Sequence, residues 1–74
     1  MDSSQHDLEE DLLLNLIGIL GHILKFESKY FKRRAAFILL ALYKRPEYYM
    51  FGHEIRAYNG TYSDGFTFDT EAEA

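Results

Sequence analysis

Nine consecutive residues, Ala35 to Tyr43 (AAFILLALY), carry no charged side chain and only one polar atom, the phenol oxygen of Tyr43. Wound as a helix, that run is apolar on every face, and a helix apolar all round is one buried all round. It is far too short to cross a membrane. Even the longest uncharged stretch, Leu12 to Leu24, has 13 residues where a span needs about 20. The remainder of the chain must therefore wrap this segment, with Leu39 or Leu40 fully buried and Phe37 and Ala41 meeting whatever lies beyond.

The segment before it supplies one neighbour. Ser4 to Asp7 fits a helix-capping pattern, and Leu8 to Phe26 is strongly periodic. At 100° per residue Leu8, Leu12, Leu16, Ile19, Leu20, Ile23 and Phe26 share a broad face, widened by Leu13, Ile17 and Leu24. Asp11, Asn15, Gly18, His22 and Lys25 lie opposite. An apolar arc of half the circumference exceeds what one partner helix covers, so this helix is expected to meet two neighbours. Gly18 and Gly21 offer places for a close approach. In a continuous helix Glu27 and Arg34 would land in the apolar face. Ser28 is a suitable N-cap, and the spacing favours a break at Glu27–Ser28 over one helix from Leu8 to Lys44.

Lys44 and Arg45 suit a helix C-terminus, and Pro46 stops one helix and opens the next. That third helix is expected to run to about Tyr58 and end at Asn59-Gly60. Glu47-Tyr48-Tyr49-Met50-Phe51 places four bulky groups in a row, of which at least two should be exposed. Beyond Gly60 the period changes. Tyr62-Ser63, Asp64-Gly65 and Phe66-Thr67-Phe68 form a hairpin pattern over 61–68, with Tyr62, Phe66 and Phe68 on the packing face. Residues 1–7 form an acidic leader, 8–68 the helical domain and 69–74 a disordered acidic tail.

Between Leu8 and Phe68, 32 of 61 residues are hydrophobic. A chain this short buries only about 60% of its unfolded surface, so a monomer would leave large apolar patches wet. The expected fold is mostly α: a small three-helix bundle with a short C-terminal β-hairpin, completed by homodimerisation through Leu16, Leu20, Ile23, Phe37, Leu40 and Ala41.

Charge is segregated along the chain. Residues 1–24 sum to −5, residues 25–56 to +5 and residues 57–74 to −4. Acidic ends around a basic middle favour attraction between copies. The basic middle interleaves cations with aromatics in Lys29-Tyr30-Phe31-Lys32-Arg33-Arg34. Lys29, Lys32, Arg33, Arg34, Lys44, Arg45, Tyr48, Tyr49 and Arg56 are therefore the candidate contacts to a protein partner or to nucleic acid. With no cysteine, disulfide scaffolds and Cys-based zinc modules are excluded. His6, His22 and His53 lack metal spacing, and His53-Glu54 has no second His four residues on. No glycine-rich phosphate loop or nucleophile pattern is present. No cofactor, metal or catalytic activity is expected. The acidic leader does not resemble a signal peptide, which points to a soluble, cytoplasmic protein.

Phe37 to Leu42, then Pro46, then Gly52-His53-Glu54-Ile55 resembles the start of the PadR-type winged-helix regulators. That resemblance implies a small DNA-binding transcription regulator in which Lys44, Arg45 and Arg56 contact phosphates and the hairpin is a wing. In that family the glycine follows the proline more closely, and a recognition helix precedes the wing. Here Gly60 leads almost directly into the hairpin pattern.

Overall fold

The computed structural model describes residues 3–63 and 65–71, and the side chains of 8–62 and 65–71. It is mostly helical. Helix α1 spans Ser3–Phe26, α2 Lys29–Tyr43 and α3 Gly52–Arg56, with a 3₁₀ segment Pro46–Phe51 between α2 and α3. Strands β1 (Tyr62–Ser63) and β2 (Phe66–Thr67) pair antiparallel for two residues each. Helix α1 starts five residues before Leu8, so most of the expected leader is helical backbone. The side chains of the Ser4–Asp7 capping pattern lie outside the described residues.

The first two helices are separate. Helix α1 closes with the Glu27 N–H donating to the Ile23 carbonyl at 3.1 Å, and Ser28 then turns extended at φ −66°, ψ 163°. Ser28 occupies the N-cap position of α2, but its side chain makes no capping hydrogen bond; its carbonyl accepts from the Lys32 N–H at 2.9 Å. Breaking here lets α2 fold back along α1 and takes Arg34 out of the apolar face.

The core is built from one edge of α1, Ile17, Leu20 and Leu24, against Ala35, Ala36 and Leu39 of α2, with Phe51, Ile55 and Phe68 closing it. Two alanines side by side leave room for the leucines of α1 to reach across, as close packing between helices requires. This corrects the expected phase of α1. Leu13, Ile17 and Leu24, read as the margin of the face, belong to its centre, whereas Leu8, Leu12, Ile19 and Phe26 are exposed. Leu20 is 5% exposed and is consumed by the chain's own core, so it is not open to a second copy. Helix α2 is also not buried all round. Leu39 is fully buried, Leu40 half-buried, and Phe37, Ile38 and Ala41 face outward.

Arg45 is extended at φ −92°, ψ 127°, as a residue before proline prefers. Pro46 opens a 3₁₀ segment instead of the expected α-helix. The tighter winding brings residues three apart onto one side. Tyr48 and Phe51 consequently turn inward, while Tyr49 and Met50 stay exposed. Gly60, at φ 89°, ends the turn after α3, a left-handed conformation that suits glycine. No helix stands between α3 and β1 among the described residues. The position of a recognition helix is thus filled by a turn.

In the strand pair Tyr62 stands opposite Thr67 and Ser63 opposite Phe66. Opposed residues share a face and the period is two. Phe66 and Phe68 therefore point inward, and Tyr62 is exposed, contrary to the expected packing face. Asp64 of the expected turn lies outside the described residues. Two backbone bonds of 3.0 Å, Gly60 N–H to the Phe68 carbonyl and Phe68 N–H to the Thr61 carbonyl, tie this unit back to the turn that follows α3. Of the expected tail, Asp69 to Glu71 are held: the Asn59 carboxamide accepts from the Thr70 N–H and donates to its hydroxyl, both at 3.0 Å. Thr70 is buried. Residues 72–74 lie outside the described residues.

Gly21 and Gly18 respond oppositely to a methyl group. A Cβ on Gly21 would meet the ring of Tyr58, whereas Gly18 faces open space. Gly18→Ala is expected to stabilise by about 0.5–1 kcal/mol through helix propensity. Gly21→Ala should destabilise by about 1 kcal/mol, because overpacking outweighs that gain. In a Tyr58→Ala background Gly21→Ala should become stabilising. Thermal denaturation of the four variants reads the difference. At the core, Leu39→Asp places an unpaired carboxylate in a fully apolar site, costing several kcal/mol. Circular dichroism should show its helical signal lost, with Leu40→Asp distinctly milder.

Candidate interaction surfaces

The basic and aromatic residues singled out in the sequence do not form one patch. Arg33 projects from α2 over the ring of Phe66, 5.7 Å from its centroid. Together with Ala36, Phe37 and Leu40 these two residues line a cleft of about 190 Å³. One residue on, Arg34 turns to the other side. Its guanidinium lies 5.6 Å from the Tyr30 ring centroid, and its Nη1 donates to the Tyr30 hydroxyl at 3.5 Å. Tyr30 in turn meets Phe31 edge-on at 5.1 Å. Such stacking keeps a guanidinium extended and its remaining donors directed to solvent. Lys29 is exposed and Lys32 half-buried.

A second group gathers where α2, the 3₁₀ segment and α3 converge. Tyr43, Lys44, Tyr49, Arg56 and Thr70 line an open pocket of about 450 Å³. The Arg56 Nη1 donates to the Tyr43 hydroxyl at 3.4 Å, a long bond that leaves most of the guanidinium donors unused. Among the described residues, the charged side chains lining this pocket, Lys44 and Arg56, are both cations.

Arg45 and Tyr48, expected to act with this group, are placed elsewhere. Tyr48 lies between the 3₁₀ segment and α1, lining a notch of about 140 Å³ with Glu9, Glu10 and Leu13. Arg45 stacks 5.8 Å over Tyr48 and binds Glu47 through Nη2 at 2.7 Å and Nε at 3.2 Å. The Glu47 carboxyl is held below its ordinary range, first by a backbone N–H of its own residue and then by the Arg45 side chain. The same hydrogen bond raises the Arg45 guanidinium. Both groups are exposed, so the pair adds little to stability.

The expected dimer contacts divide as well. Leu16, Phe37 and Ala41 are exposed and Ile23 and Leu40 are half-buried, whereas Leu20 belongs to the core. The α1 residues expected at the dimer contact, Leu16, Leu20 and Ile23, leave out the most exposed members of the row, Leu12, Ile19 and Phe26, which share the same broad face. The expected contacts also leave out Phe66, the floor of the Arg33 cleft. Its pairing with Arg33 spans 33 residues and leaves no local pattern. Among the described residues no group of three or more His, Asp or Glu is placed to hold a metal ion. No described helix is long and apolar enough to cross a membrane. In comparisons with known proteins, no family model, curated protein or solved structure matches the chain.

A pH titration tests the Arg45–Glu47 pair. A carboxyl depressed by folding contributes stability at neutral pH, and that contribution is lost as pH falls through the folded value. NMR should find Glu47 titrating below an ordinary glutamate and moving upward in Arg45→Ala. The thermal midpoint at pH 7 should be essentially unmoved by the substitution.

Proposed function

We propose that the chain is a non-enzymatic interaction module that acts as a homodimer and engages another protein through exposed aromatic and basic residues. One observation carries this reading: large apolar side chains stay exposed along both long helices although the chain has already closed a core of its own. Leu12, Ile19 and Phe26 on α1 and Phe37 on α2 are 60%, 59%, 71% and 73% exposed. Isolated cases of this kind are ordinary, but contiguous apolar surface beyond a few hundred Å² marks an interaction site. Aromatic residues and arginine, which line the Arg33–Phe66 cleft, are also the residue types enriched at protein interfaces.

A second reading, a small DNA-binding regulator, draws on the Lys44–Arg56 pocket, whose cations and phenols would suit a phosphate. The acidic segments at both ends of the chain oppose it.

Sedimentation at micromolar concentration is the test. The expected species has twice the 8.7 kDa mass of one chain. A fully helical monomer would overturn the homodimer. Gel shift with bulk duplex at about 50 mM salt, where phosphate contacts are strongest, is expected to show no retained complex. Retention there would favour the second reading.

A further inference from the structure

We infer that α1 pairs antiparallel with α1 of a second copy, about a two-fold axis beside Ile19. This rests on the homodimer reading and adds the face, the direction and the register.

Leu12, Leu16, Ile19, Ile23 and Phe26 follow one another at intervals of four, three, four and three. That is the spacing of a coiled-coil seam. On the helical wheel the seam is turned by about 110° from the edge of Ile17, Leu20 and Leu24 that packs in the core. A second helix can therefore seat on it without displacing α2. Leu16 and Ile23, on the side nearer the core, are the less exposed members of the row, and Leu12, Ile19 and Phe26 point outward. At the C-terminal end of the seam Ile23, Glu27 and Phe31 border a shallow notch of about 240 Å³.

Charge sets the direction. Glu9 stands one turn before the seam, while at its other end Lys25 near the close of α1 and Lys29 at the start of α2 outnumber the one acid there, Glu27. Parallel pairing would place Glu9 beside Glu9 and Lys29 beside Lys29. Antiparallel pairing brings Glu9 of each copy toward Lys29 of the other, and it also opposes the helix dipoles favourably. The apolar layers then match as well: Ile19 meets Ile19, Leu16 meets Ile23, and Leu12 meets Phe26. An isologous contact of this kind closes at two copies and leaves the Arg33–Phe66 cleft uncovered by the seam.

The cysteine-free chain allows a direct test by single substitutions in the full-length protein. Under mild oxidation Ile19→Cys should form a disulfide-linked dimer. Leu12→Cys and Phe26→Cys should fail alone and cross-link when mixed. Self-cross-linking by all three would show a parallel pair and overturn the direction. A dimer in sedimentation with no cross-link at any of the three sites would place the contact on another face, leaving the homodimer reading intact. A monomeric wild-type chain removes both. Should a cysteine variant fail to fold, the charge exchange decides. Glu9→Lys alone should weaken dimerisation about fivefold, and Glu9→Lys with Lys29→Glu should restore it. Failure of the double variant to recover would overturn the register.

Discussion

The approach of α1 to α2 across Ala35 and Ala36 is the contact on which everything else rests. Ala35 and Ala36 are both buried in that contact, and Leu24 and Leu39 are fully buried within the same cluster. All later elements are laid against that pair of helices. The 3₁₀ segment sends Phe51 into it, α3 sends Ile55, and the strand pair sends Phe68. Each of those elements is too short to persist in isolation, since helices under about a dozen residues and lone strand pairs are marginal in water. Their order is borrowed from the two long helices.

That economy explains why the surface is so apolar. The third layer consists of five α-helical residues, one 3₁₀ segment and two pairs of strand residues, and it covers only part of the α1 and α2 faces. The α1 arc is wider than its cover, and the surplus forms the row from Leu12 to Phe26. The Tyr58 ring fills the space beside Gly21, with Lys25 Nζ 5.4 Å from its centroid on the outer side. One flank of α1 is sealed in this way, while the seam flank stays open.

Much of this was legible in the residues, and the failures have physical causes. The break at Glu27–Ser28 followed from the phase error that a continuous helix would impose on Glu27 and Arg34. The stop at Pro46 followed from backbone chemistry, and so did a terminator at Asn59-Gly60, although α3 itself closes at Arg56, short of the expected Tyr58, and a turn fills the interval. The choice of which half of the α1 arc is buried was not legible. Periodicity gives the direction and width of an apolar face, whereas the position of Ala35 and Ala36 on another helix selects the half that is used. Nor was the winding of Pro46–Phe51 foreseeable from composition, because 3₁₀ and α differ by the inward fit of Tyr48 and Phe51. The candidate basic residues stand out in the sequence one by one. Their division between the Arg33–Phe66 cleft, the Tyr30 stack and the Tyr43–Arg56 pocket depends on contacts far apart in sequence, to which a linear pattern is blind.

The two-residue joint between α1 and α2 also governs the order in which the chain can assemble. Helices joined so tightly meet after a short loop closure, and contacts between near neighbours in sequence favour rapid folding. The Asn59 clip on Thr70 bridges 11 positions, yet it has no platform until α3 is seated on the long helices. The helical pair is thus the natural nucleus, and the C-terminal turn and strands condense onto it afterwards.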